Sequence, residues 1–291
     1  MNYIPGNTKL VELKNIEQLY NLNCRIFGKV ENSNPTGSIK DRAVYNMLLN
    51  YQKQKEIKGS TIIEATSGNT GIALAFYASV FNYRCIIVMP SSMSKQRRDM
   101  ITQYGAELCL VDGGMKECNI KAQELLKSIP NSFIFDQFNQ KANYEAHYKT
   151  AGELLENNQN IAVIAAGIGT GGTITGIGRV FKEKKPDVRI IGIEPLESPL
   201  LTKNTASPHL IQGIGANFIP SILDRNIIDE IIDVAGIESI DMAKVIREKE
   251  NLDVGISSGA ALLGLITYIK KYNISGDCVA IFPDKGDRYS W

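Results

Sequence analysis

Apolar and polar positions alternate along this chain in blocks. Residues 61–65, 84–89, 107–111 and 161–165 are short, largely apolar runs, as expected of strands in a mostly parallel sheet covered on both faces. Longer segments between them carry apolar residues three and four apart, predicting helices over 71–81, 95–104, 118–128, 146–156 and 171–182. Further strands are predicted at 25–31, 188–193, 227–234 and 279–282, and further helices after Lys40, over 239–250 and over 258–271. Strand-helix alternation of this kind builds βαβ units, so the expected fold class is α/β, with mostly parallel twisted sheets in three-layer αβα domains. The polar segment 137–143 is read as a crossing between two halves. The expected division is 1–140 and 141–291, with the first strand region free to join either half. Residues 194–220 break the alternation with Pro and Gly and are long enough to suggest a functional loop.

The stretch Asn34-Pro-Thr-Gly-Ser-Ile-Lys40-Asp-Arg42 adds chemistry to this architecture. Ser38 has the character of a helix N-cap, Asp41 follows three residues later as in a capping box, and Ala43, Val44, Met47 and Leu48 continue the helix. Lys40 then falls in the first turn, where a cation opposes the helix macrodipole and the neutral amine is favoured. A neutral lysine amine is a nucleophile suited to a Schiff base with an aldehyde. The plainer reading is a solvated lysine beside Asp41 and Arg42.

Charge and composition narrow the partners. Thirty-two Lys and Arg balance 31 Asp and Glu, without a basic stripe or acidic tail, which argues against nucleic acid or a membrane surface. No apolar run reaches transmembrane length, and the first residues lack a charged segment followed by an apolar one. Five scattered cysteines without a Cys-x-x-Cys pair suit reduced thiols in a cytoplasm. With two histidines, His147 and His209, there is little material for a metal site, and none is expected.

Three glycine-bearing loops lead into predicted helices, two of them from predicted strands and the third from strand-like residues. In Gly167-Ile-Gly-Thr-Gly-Gly-Thr173, Gly169, Gly171 and Gly172 let backbone amides approach an anion, Thr170 and Thr173 add hydroxyls, and the next helix supplies positive potential. The loop reads as a phosphate cradle without the Gly-Lys-Ser/Thr ending of a nucleotide P-loop. Thr66-Ser-Gly-Asn-Thr-Gly71 opens another helix and makes an anion pocket of carboxylate size, or simply a well-capped turn. Gly255-Ile-Ser-Ser-Gly259 places serines at a third helix start. A rival reading exists: Gly167, Gly169 and Gly172 satisfy Gly-x-Gly-x-x-Gly, and Glu194 stands where a dinucleotide site wants an acid, so an NAD-dependent oxidoreductase fits this one unit. That reading leaves the other loops idle. A non-catalytic amino-acid-binding module is a third option.

These loops, with Gln212-Gly-Ile-Gly-Ala216, occur in this order over almost the entire chain. Together they resemble the cysteine synthase (O-acetylserine sulfhydrylase) and cystathionine β-synthase family of fold type II pyridoxal-phosphate enzymes. The resemblance implies a fold like the tryptophan synthase β chain, pyridoxal 5'-phosphate as cofactor and a homodimer. It implies that Lys40 carries the cofactor, Asn69 contacts its 3'-oxygen, Gly169 to Thr173 bind its phosphate and Ser257 faces the pyridine nitrogen. Thr66, Ser67, Gly68, Thr70 and Gln137 are then expected at the substrate carboxylate, with Gly213 and Asn217 also on the substrate side. The implied reaction is β-replacement on an O-activated L-serine through α-aminoacrylate, with sulfide or a thiol as nucleophile, most simply cysteine synthesis from O-acetylserine. Related outcomes are formation of cystathionine, lanthionine or diaminopropionate, or release of hydrogen sulfide from cysteine.

Three departures from the cysteine synthase pattern bear on donor and nucleophile: Asn7-Thr-Lys9-Leu near the start, Asn217 after Ala216, and Pro283-Asp-Lys-Gly-Asp-Arg-Tyr289. An asparagine at 217 adds bulk and hydrogen bonds but no carboxylate. If it faces the pocket, unactivated serine is expected to be a poor donor. If it points away, it only shapes a turn.

Overall fold

The computed structural model describes residues 3–53 and 59–289. The chain begins with β1 (Lys9–Glu12), α1 (Lys14–Leu19) and β2 (Arg25–Val30), then a loop into α2 (Lys40–Lys53). Next come β3 (Thr61–Ala65), α3 (Asn69–Val80), β4 (Arg84–Pro90), α4 (Lys95–Gln103), β5 (Glu107–Val111), α5 (Met115–Ser128) and β6 (Ser132–Ile134). The later part holds α6 (Lys141–Asn157), β7 (Ile161–Gly167), α7 (Gly172–Lys184), β8 (Arg189–Pro195) and the short α8 (Leu200–Lys203). It closes with β9 (Glu230–Val234), α9 (Gly236–Glu250), α10 (Ile256–Tyr272) and β10 (Asp277–Phe282).

The strands form two sheets. One is four-stranded and parallel, in the order β5-β4-β3-β6; the other is six-stranded, in the order β1-β2-β10-β7-β8-β9, with β1 alone antiparallel. Burial on both faces follows the period of two. Cys278, Ala280 and Phe282 of β10 enter one apolar cluster while Val279 and Ile281 enter another. Likewise Cys85, Ile87 and Met89 of β4 point to one side and Ile86 and Val88 to the other. Each sheet is therefore a buried middle layer between helices.

The last strand, β10, lies between β2 and β7. The first strand region thus shares a sheet with the later half, and Phe282 stands beside Val30. β1, α1 and β6 lie outside the expected elements. β1 and β6 have four and three residues and pair on one side only, so neither shows the continuous apolar run of a central strand. The polar 137–143 segment holds the first residues of α6, a helix that begins earlier than its apolar periodicity suggested. α6 and α7 pack closely, since a Cβ at Gly176 would lie 2.1 Å from the Tyr144 carbonyl oxygen.

α2 is tied down by a buried charge cluster. The Arg42 guanidinium binds Glu31 and Glu153, each at 2.7 Å, and Lys29 reaches Glu153 at 2.7 Å. Such a cluster fixes the start of α2 against β2 and α6. The loops that follow β2, β3, β7 and β10 leave the carboxyl ends of their strands, the edge where open α/β sheets build sites.

Candidate active site

One cavity lies between the two sheets, lined by Lys40, the 66–70 loop, Gln137, Gly169 to Gly171, Thr173, Gly213, Ser257 and Asp284. It gathers residues predicted from six separate stretches of sequence.

Lys40 opens α2. Ser38 Oγ accepts from the Lys40 N–H at 3.3 Å, and Asp41 Oδ2 accepts from the Ser38 N–H at 3.2 Å. The second bond is half of a capping box. Asp41 also accepts from the Thr36 N–H and hydroxyl, and burial pushes its carboxyl up to about 6. Asp41 and Arg42 are thus engaged elsewhere, and among the described residues the Lys40 amine forms no ion pair. Burial lowers the Lys40 amine below its usual value, with the Asp284 carboxylate opposing. Loss of water thus acts in the same direction as the helix macrodipole, favouring the neutral amine. The solvated-lysine reading does not hold.

Thr66 continues β3, and Asn69 and Thr70 begin α3. Thr66 and Thr70 are buried, and Thr70 donates its hydroxyl to Gln137 Oε1 at 2.6 Å. Ser67 and Gly68 are half-buried at the rim, where Arg97 Nη1 donates to the Ser67 carbonyl at 2.9 Å.

The 167–173 loop follows β7. A Cβ at Gly169 would lie 2.4 Å from the Gly213 carbonyl oxygen, and Gly171 takes φ +81° immediately before α7. Both positions need glycine, the first for close approach and the second for its backbone. Gly215 donates to the Ile168 carbonyl at 2.9 Å, laying the 212–216 loop against this cradle. Thr170 Oγ1 accepts from Asn143 and Gly172, each at 3.3 Å, and Thr173 Oγ1 meets His147 Nε2 at 3.3 Å. Burial, with Arg42 and Lys40 nearby, drives the His147 pKa well below its usual value, so the ring is neutral.

Two predicted residues lie outside the lining. Gly172 sits behind it, where a Cβ would strike Asn143 Oδ1 at 2.1 Å, so the glycine serves close packing there. Asn217 is exposed. The chain lines the cavity at Gly213, Ile214 and Ala216, and Asn217 follows on the solvent side after the positive-φ Gly213 and Gly215. Its expected place in the pocket is corrected accordingly.

The sequence reading gave Asp284 no role, yet it is almost fully buried in the cavity wall. Asn69 Nδ2 donates to its Oδ2 at 2.7 Å and the Tyr289 hydroxyl at 2.5 Å. Among the described residues its Oδ1 is buried without a hydrogen-bond partner. Arg288 donates to Asn69 Oδ1 and to the Thr36 carbonyl. The available signal was position: Pro283-Asp284 follows a buried strand, as the 66–70 and 169–173 loops do.

The dinucleotide reading fails at Glu194. This carboxylate is buried and accepts from the Leu201 and Thr202 N–H groups, each at 2.9 Å, so it caps α8 and offers nothing to a ribose.

The arrangement fits an aldehyde-bearing phosphate cofactor. It joins a desolvated amine, a backbone cradle at a helix N-terminus, an amide held by charged partners and a buried neutral hydroxyl on Ser257.

Comparisons with known proteins agree. The model of the pyridoxal-phosphate dependent enzyme family matches residues 1–284. Cysteine synthase B of Campylobacter jejuni is 47% identical over 285 residues, covering 96% of this chain and 90% of the relative. A solved cysteine synthase of Entamoeba histolytica superposes with a TM-score of 0.93 at 37% identity, covering 98% of this chain and 87% of that one. A hydrogen sulfide-producing enzyme of Fusobacterium nucleatum gives a TM-score of 0.94 at 39% identity, covering 98% and 95%. Among the described residues no helix is long and apolar enough to cross a membrane.

Proposed function

Because the chain belongs to the pyridoxal-phosphate dependent enzymes, we propose that it carries out β-replacement on an O-activated L-serine, making cysteine from O-acetylserine and sulfide. The observation that carries this reading is the half-buried Lys40, whose amine is free of any ion pair among the described residues, in one cavity with the 66–70 loop and the 169–173 cradle.

Bound there, pyridoxal phosphate supplies an electron sink that makes the Cα proton of the amino acid removable and lets the β-substituent leave. The protein's residues do the rest. Lys40 gives the amine that holds the cofactor aldehyde and, once displaced by the amino acid, takes the Cα proton at Nζ. Gly169 to Thr173 hold the phosphate, with neutral His147 supporting Thr173. Ser257 offers the ring nitrogen a neutral hydroxyl; without a carboxylate partner the ring is a moderate sink, which suits loss of a β-substituent over transamination. Thr66, Ser67, Thr70 and Gln137 take the carboxylate, and Asn69 takes the 3'-oxygen.

Both half-reactions share this pocket, so initial rates with O-acetylserine and sulfide should give parallel double-reciprocal lines. Intersecting lines would count against it. The likeness to a hydrogen sulfide-producing enzyme supports a second reading, elimination of sulfide from cysteine. A screen of O-acetylserine, O-phosphoserine, serine and cysteine as donors separates the two. On the same reading the enzyme is a cytoplasmic homodimer, and sedimentation as a monomer at about micromolar concentration would reject the dimer.

A further inference from the structure

Glu64, in the middle of the four-stranded sheet, is a buried carboxyl outside the cavity lining and without a role so far. Its Oε2 accepts from the Asp136 N–H at 3.0 Å, and its Oε1 accepts from Gln137 Nε2 at 3.0 Å. The other end of the same carboxamide, Gln137 Oε1, accepts the Thr70 hydroxyl at 2.6 Å. Gln137 itself lines the cavity.

A carboxylate accepts hydrogen bonds and donates none. An ionised Glu64 therefore admits only one orientation of the Gln137 amide, with nitrogen toward Glu64 and oxygen toward Thr70. The amide nitrogen keeps a second N–H. In the flipped orientation a carbonyl lone pair would take that N–H's place and repel an arriving carboxylate.

We propose that Glu64 is a positioning residue for the amino-acid carboxylate: it fixes the Gln137 carboxamide so that an N–H, not an oxygen, is turned toward the bound carboxylate. This rests on the reading that Thr66, Ser67, Thr70 and Gln137 hold that group.

The surroundings show why Glu64 is not a structural convenience. Burial pushes its carboxyl up to about 7, and Asp136 adds repulsion that the backbone and Gln137 hydrogen bonds only partly offset. Tyr51 of α2 and Cys85 of β4 also face it, and burial raises both, with the Glu64 charge adding to the effect. Because the folded value lies above the unfolded one, ionising Glu64 weakens the fold as pH rises toward 7. Glu64→Gln removes that penalty and is expected to fold at least as well as the wild type.

The test titrates the visible band of the holoenzyme with L-methionine and with 3-(methylthio)propylamine, the same molecule without its carboxylate. In Glu64→Gln the L-methionine dissociation constant should rise about tenfold or more, while that of the amine stays within about twofold. In a Gln137→Ala background, Glu64→Gln should add nothing. In the wild type the ratio of the two constants should rise as pH falls from about 8 to about 6, because protonated Glu64 releases the amide. Equal weakening of both probes, no change in either, or a flat ratio overturns the proposal. If Gln137→Ala and Thr70→Ala leave L-methionine binding intact, the reading of the carboxylate loop has failed instead.

Discussion

The carboxamide of Asn69 donates to Asp284 Oδ2 at 2.7 Å across 215 positions of sequence, joining the first turn of α3 to the segment after β10. Arg288 holds the amide oxygen, so opposite charges grip the two ends of one neutral group. Asp284→Ala should free Asn69, alter the visible band and lower kcat/KM by about tenfold to a hundredfold. Burial raises the Asp284 carboxyl above its ordinary range, so its part as an acceptor is lost on acidification earlier than for an exposed aspartate. A wild-type spectrum and rate in the variant would refute this role.

Arg97 links two rims of the cavity, donating to the Ser67 carbonyl at 2.9 Å and to Gln212 Oε1 at 3.1 Å. Closure over the substrate should use this link. Arg97→Ala is expected to raise KM for the amino-acid donor about three- to thirtyfold, with the resting spectrum unchanged. Identical donor kinetics would show the contact to be idle.

The cluster around Arg42 governs stability. Burial alone would raise the Glu153 carboxyl, but Arg42 and Lys29 pull it down to about 2. Since that lies below the usual value, the associated stability is present above about pH 4.5 and is lost as pH falls toward 2. Arg42→Ala leaves two buried carboxylates short of their partner and should cost about 3 to 5 kcal/mol in urea unfolding. A loss under about 1 kcal/mol would contradict the assignment.

Asn217 gives a prediction of little effect. Its exposure places it outside the cavity wall, so Asn217→Asp and Asn217→Gly should each leave the preference among serine, cysteine and O-acetylserine within about twofold of wild type. A larger change in either would mean that closure brings residue 217 onto the substrate.

The central strands were legible because burial on both faces writes them as continuous apolar runs, as in β4 and β10. The same holds for loops such as 66–70 and 169–173, whose glycines and hydroxyls answer a local demand. What sequence spacing could not supply was non-local. Nothing in residues 25–30 says that they pair with residues 277–282, nor that Asp284, just past β10, meets Asn69 at the start of α3. Glu64 was hidden similarly, since it reads as a polar interruption of an apolar strand until Gln137 and Asp136 are brought to it. For Lys40 the sequence argument for a neutral amine rested on the helix dipole, and the structure adds burial, which acts in the same direction.

The most direct test of the account is borohydride reduction of the purified protein followed by peptide mass analysis. The visible band should vanish, and a pyridoxyl-phosphate adduct should appear on the peptide containing Lys40; Lys40→Ala should show neither band nor adduct. A protein that remains colourless after incubation with pyridoxal phosphate, or an adduct on another lysine, would contradict it.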